Sequence, residues 1–154
     1  MGVVETLLRL PGRTLPVPGW SVVTDAVHGR RAAPRGPVEH VTPAGVRLRL
    51  DLDDWVQRTI YYDAWEVPEL RLVRALVRPG DVMLDVGANI GLFALTAARA
   101  GAAAHAFEPV PANVEALRAN AALNPGLDLR VLPEALGDAP VSYTHLTLPT
   151  KRIV

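Results

Sequence analysis

Three kinds of residue in one short stretch, Asp85-Val86-Gly87-Ala88-Asn89-Ile90-Gly91, could do chemistry together. Two glycines four apart allow a tight backbone turn and let a ligand approach without side chains in the way. An aspartate just ahead of them sets a negative charge beside that ligand. Glu108 follows 17 residues after Gly91. There, at the end of a next strand, an acid can accept hydrogen bonds from both hydroxyls of a ribose. A glycine loop followed by such an acid reads as a site for a nucleoside-containing cofactor.

Charge chooses between cofactors. A nicotinamide site usually reads G-x-G-x-x-G, with pyrophosphate resting on the helix N-terminus. Here the loop reads G-A-N-I-G, with Asn89 where the middle glycine would stand and a closing spacing one residue shorter. Asp85 would repel a pyrophosphate but suits an ammonium group. S-adenosyl-L-methionine carries an ammonium, a ribose and no phosphate, so electrostatics favours it. An NAD(P)-binding oxidoreductase domain is the rival reading, and a non-enzymatic module a second.

The elements that must position these residues follow from hydrophobic spacing. "VEHVTPAGVRLRLDL" (38–52) predicts a β-hairpin, with Pro43-Ala44-Gly45 at the turn and Val46, Leu48 and Leu50 alternating with charged residues. From Pro68, Leu70, Val73, Leu76 and Val77 repeat at helical spacing up to Pro79-Gly80. "VMLDV" (82–86) is an apolar run of buried-strand type, and "NIGLFALTAARAG" a helix closed by Gly101. "AAHAF" (103–107) is a second strand, placed by the pattern because alanine is a poor strand former. A helix from Pro111 to Asn120 or beyond sets Val114, Leu117 and Ala121 on one face, and "LRVLPEAL" (129–136) is a third strand despite its proline. The result is a βαβαβ unit, half of a doubly wound α/β sheet with strand order 3-2-1. Trp55, Tyr61, Tyr62 and Trp65 are expected to cover the sheet or the cofactor's mouth, and His105 to be a packed residue.

The stretch from Pro79 to Asn124 resembles the FkbM family of S-adenosylmethionine-dependent methyltransferases. The resemblance rests on "DVGANIG", on "FEP" (107–109) and on the L-x-x-N-x-x-L-N helix at 117–124. "WEVPEL" (65–70) and "ALGD" (135–138) resemble its flanking segments. It implies a Rossmann-like class I methyltransferase fold, here the first βαβαβ half preceded by a β-hairpin. The implied activity is methyl transfer to a hydroxyl of a sugar or natural product, a small-molecule or glycan acceptor. By position, Asp85, Gly87, Asn89 and Gly91 would hold the methionine moiety and Glu108 the ribose. Ala135, within the Glu134–Leu136 end of strand 3, would lie near the adenine, and Glu66 is a further candidate beside the cofactor. No residue is assigned as catalytic base.

Composition bounds the partners. The chain has 154 residues and a formal net charge of zero, with no basic stripe of the kind that marks nucleic-acid binding. Without cysteine it has no thiolate nucleophile and no cysteine-ligated zinc, and its four histidines are scattered, so no metal site is expected. No membrane span and no signal peptide are legible, so a cytoplasmic protein is expected. Residues 1–37, rich in Pro, Gly and Arg, read as an irregular leader, and 38–140 as a partial methyltransferase domain.

The last stretch, 141–154, breaks the pattern: it is threonine-rich and holds the chain's only lysine, Lys151. "VSYTHLTLPT" resembles the translation of a transposon-end adapter used in sequencing libraries, so this tail is expected to be non-native. The family's downstream acidic D-x-E-G-like segment has no match. The chain is therefore expected to be an N-terminal fragment, inactive by itself, with "VMLDV" as an exposed apolar edge.

Overall fold

The computed structural model describes residues 19, 20, 22–24, 26 and 36–136. The tail at 141–154 and most of the leader lie outside the described residues. Residues 20, 22–24 and 26 are helical where an irregular leader is expected. The Val22 and Val23 amides turn back onto the Gly19 carbonyl, and Trp20 packs against the core.

The hairpin is formed by β1 (Pro37–Val41) and β2 (Arg47–Asp51), paired antiparallel. The Thr42 amide donates to the Val46 carbonyl and the Gly45 amide to the Thr42 carbonyl, closing the turn. As the alternation predicts, Leu48 and Leu50 are buried while Arg47, Arg49 and Asp51 are exposed. Next comes a short helix that the apolar spacing does not announce, α1 (Trp55–Tyr61). Asp54 caps it, its carboxylate accepting the Gln57 amide at 2.8 Å. Tyr61 and Tyr62 belong to one core cluster with Leu48, Leu50 and Ile60. His40 Nε2 meets Asp63 Oδ1 at 2.8 Å with both side chains buried, tying β1 to the chain beyond α1.

After α2 (Val67–Leu76), which carries Pro68 in its first turn, the parallel sheet begins. β3 (Val82–Val86), β4 (Ala103–Phe107) and β5 (Leu129–Leu132) lie in the order β5-β4-β3, which is the expected 3-2-1. The crossovers are α3 (Leu92–Arg99) and α4 (Pro111–Ala122). Ala94 and Ala98 of α3 and Leu117 of α4 pack on Ala104 and Ala106 of β4. The alanines that weaken β4 as a strand let both helices sit close to it. The hairpin forms a further layer, with Leu48 and Leu50 packing on Leu92 and Leu95 of α3.

Three expectations are corrected. α3 starts at Leu92, not at Asn89, because Asn89 (φ 49°) and Gly91 (φ 93°) are left-handed. β5 stops at Leu132 instead of running to 136, since Pro133 has no amide to extend the ladder. β3 is not buried on both faces: Val82, Leu84 and Val86 are exposed at the edge of the sheet, on the face away from the helices, which agrees instead with the expectation of an exposed apolar edge.

Candidate cofactor site

The glycine loop leaves the carboxyl end of β3, where open α/β sheets bind ligands. Phe107, the last residue of β4, pins its start: the Gly87 and Ala88 amides both donate to its carbonyl at 2.9 Å. The Gly91 amide then closes onto the Ala88 carbonyl at 2.8 Å. Ala88 and Ile90 point into the core, while Gly87 and Asn89 are exposed.

The two glycines do different work. A methyl group on Gly87 would meet nothing within 4 Å, so the space beside this backbone is open to a ligand. On Gly91 it would overlap Leu117 Cδ1 of α4. Gly91 therefore lets α4 approach the loop from behind, whereas Gly87 leaves its side of the backbone open.

Asp85 sits under the start of α3, and its Oδ2 accepts the Ala94 amide at 2.9 Å. Gly91, the N-cap, has no side chain to offer, so this carboxylate from the strand caps the helix instead. Burial raises the Asp85 carboxyl above the usual carboxylate range; the Ala94 hydrogen bond opposes the shift and the Glu108 charge adds to it.

Glu108 is buried, with 4% of its surface exposed, and both oxygens are engaged. Oε2 accepts the Asn89 amide at 2.8 Å; Oε1 accepts the Val110 amide at 2.9 Å and the Asn113 side chain at 3.3 Å. It thus clips together the loops that leave β3 and β4. A carboxylate offers about four acceptor directions, and these three bonds leave one on Oε2 unused.

Glu66 stands exposed at the start of α2 in a left-handed conformation (φ 43°). Partial burial of its carboxyl raises it, the Glu69 and Asp85 charges add, and a hydrogen bond with Trp65 opposes. The Asp85 charge acts on Glu66 and the Glu108 charge on Asp85, so the three acids are neighbours. Ala135 lies beyond the end of β5, exposed and outside regular structure. Asp85, Gly87, Asn89 and Glu108 are thus brought together, with Gly91 behind them, Glu66 flanking and Ala135 past the third strand. A separate cavity of about 70 Å³ opens between α2, α3 and the hairpin turn, lined by Pro43, Trp65, Arg74 and Leu92 among others. None of the loop carboxylates lines it.

Sequence reasoning assigned no role to Asn113, Asn120 or Asn124. The signal was present in the L-x-x-N-x-x-L-N pattern, and its cause is geometric. Asn120 and Asn124 bond the backbone of β2, and Asn120 also holds the glycine loop.

No protein-family profile matches the chain. A curated relative, the 31-O-demethyl-FK506 methyltransferase FkbM of Streptomyces tacrolimicus, is 60% identical over 47 residues, which cover 29% of this chain and 18% of that protein. Among solved structures, a SAM-dependent methyltransferase from Agrobacterium tumefaciens superposes with a TM-score of 0.52 at 16% identity, covering 68% of this chain and 34% of the other. The P. horikoshii TYW2 complex with MeSAdo gives 0.53 at 20% identity, over 70% and 39%. Pyrococcus abyssi tRNA (uracil-54, C5)-methyltransferase, in complex with S-adenosyl-L-homocysteine, gives 0.51 at 20% identity, over 72% and 26%. The chain has the S-adenosylmethionine-dependent methyltransferase fold. It spans less than two-fifths of the length of each of these relatives. The described residues supply the strand order β5-β4-β3, with the glycine loop and Glu108 at its carboxyl end. No helix among the described residues is long and apolar enough to cross a membrane.

Proposed function

We propose that the loop at Asp85–Gly91, together with Glu108, binds S-adenosyl-L-methionine, and that the protein to which this chain belongs methylates a hydroxyl group on a sugar or natural product. The observation that carries the cofactor reading is the open backbone at Gly87, with the Asp85 carboxylate at the end of the preceding strand and the Glu108 carboxylate bonded to the same loop. A dinucleotide pyrophosphate would enter against Asp85, Glu108 and Glu66, whereas a sulfonium and an ammonium enter with them. The residues fit the cofactor. Gly87 leaves room for it, Asp85 and Asn89 would hold its methionine end, and Glu108 would accept from a ribose hydroxyl. Glu66 is proposed at the methionine side and Ala135 at the adenine side.

When bound, the cofactor supplies an electrophilic methyl group on sulfur. The chain's own contribution is to orient it, because transfer from a sulfonium needs an acceptor held in line. The FkbM likeness supports a hydroxyl acceptor, and the neutral charge balance, without a basic stripe, supports a small molecule or glycan over nucleic acid.

Glu108→Ala tests the site. Loss of charge-assisted hydrogen bonds to the ribose should weaken S-adenosylhomocysteine binding by about 1.5–3 kcal/mol in titration calorimetry. Unchanged affinity in that variant would remove Glu108 from the site.

A further inference from the structure

The buried side of the glycine loop is held by one amide. Asn120 of α4 is fully buried, and both ends of its side chain are used. Its Oδ1 accepts the Arg49 amide of β2 at 2.7 Å, and its Nδ2 donates to the Ile90 carbonyl at 2.9 Å. One turn on, Asn124 treats the same strand similarly: Oδ1 accepts the Arg47 amide at 2.9 Å and Nδ2 donates to the Arg47 carbonyl at 2.7 Å. Asn124 bonds Arg47 and the Asn120 carbonyl, not the loop, whereas Asn120 bonds the loop itself.

The Ile90–Gly91 peptide is thereby fixed at both polar ends, its oxygen by Asn120 and its N–H by the Ala88 carbonyl. It lies between two left-handed residues, Asn89 and Gly91, in a turn that regular helix geometry does not hold. A leucine at 120 is close to asparagine in size, but it would leave the Ile90 carbonyl without its donor and the Arg49 amide without its acceptor.

We infer that Asn120 is a positioning residue for the cofactor loop, locking the Ile90–Gly91 peptide and coupling the shape of the loop to the seat of the hairpin. Its importance for the cofactor rests on the function proposed above; its hold on the loop does not.

The test compares Asn120→Asp with Asn124→Asp in the full chain. Amide-exchange protection is read at Asn89 and Gly91, with Ala104 and Ala106 of β4 as internal references. Ionised, the new carboxylate at 120 keeps the acceptor for Arg49 and loses the donor to Ile90. Protection at Asn89 and Gly91 should fall about five- to tenfold, the worth of one hydrogen bond, with β4 unchanged. Protonation at lower pH restores a donor and should restore protection, a rescue that simple destabilisation would not give. Asn124→Asp should leave the loop amides at wild-type protection.

Asn120→Leu gives a second route should the charged variant not fold. It should lose protection at the loop at every pH. Wild-type loop protection in the Asn120 variants, or an equal loss in Asn124→Asp, would overturn the inference. S-adenosylhomocysteine titration of the same samples keeps the two ideas apart. Loop loosening in a chain that binds no S-adenosylhomocysteine would leave Asn120 its role and sink the cofactor.

Discussion

On one face of the parallel sheet Ala104 and Ala106 are 1% and 0% exposed beneath Ala94, Ala98 and Leu117. On the other, Val82, Leu84 and Val86 of β3 are exposed at 67%, 60% and 61%. The same three strands supply both faces, and the side chains differ in size as well as in cover. Small residues on the first face let two helices sit close enough for α4 to touch the glycine loop at Gly91. The larger aliphatic residues on the second meet no helix among the described residues. Helix α4 shapes the glycine loop from the covered side, with Leu117 behind Gly91 and Asn120 under Ile90, while Phe107 and Glu108 hold it from the end of β4. The loop leans on one face of the sheet.

The comparison can be broken at its tightest point. Gly91→Ala adds a methyl group at a left-handed position and into Leu117, which should cost about 2–5 kcal/mol from conformational strain and overpacking together. Urea denaturation measures it, and a loss below 1 kcal/mol would mean that α4 does not press on the loop as described. The bare face should respond far less. Leu84→Thr changes a larger side chain there, yet stability should stay within about 0.5 kcal/mol of wild type, as for exposed positions generally. The same substitution should reduce self-association in sedimentation velocity, because an open apolar edge strand pairs with other chains. A loss above about 1.5 kcal/mol would show that Leu84 is covered in the folded protein.

Much of the covered side was legible beforehand. Apolar runs and proline–glycine stops located the strands and crossover helices, and right-handed connections fixed the order β5-β4-β3. The glycine loop and Glu108 were legible because a tight turn and an acid after the next strand leave local marks. The missed pieces depend on contacts distant in sequence or on short signals. α1 has seven residues, too few for a helical period to show, although Asp54 followed by Gln57 is a capping pattern visible in the chain. The link from Asn120 to Ile90 spans 30 residues and that to Arg49 spans 71, so no local rule announces either. The different roles of Gly87 and Gly91 needed the position of Leu117. Pro133 marked the true end of β5 in plain sight, and the apolar residues around it outweighed it wrongly.

The most direct test of the central claim is a calorimetric titration of the intact protein to which this chain belongs with S-adenosylhomocysteine and, separately, with NADH. The acids Asp85, Glu108 and Glu66 beside the open Gly87 backbone predict saturable binding of the first and none of the second at matched concentrations. Binding of NADH in preference to S-adenosylhomocysteine, or of neither ligand by the folded intact protein, would contradict it.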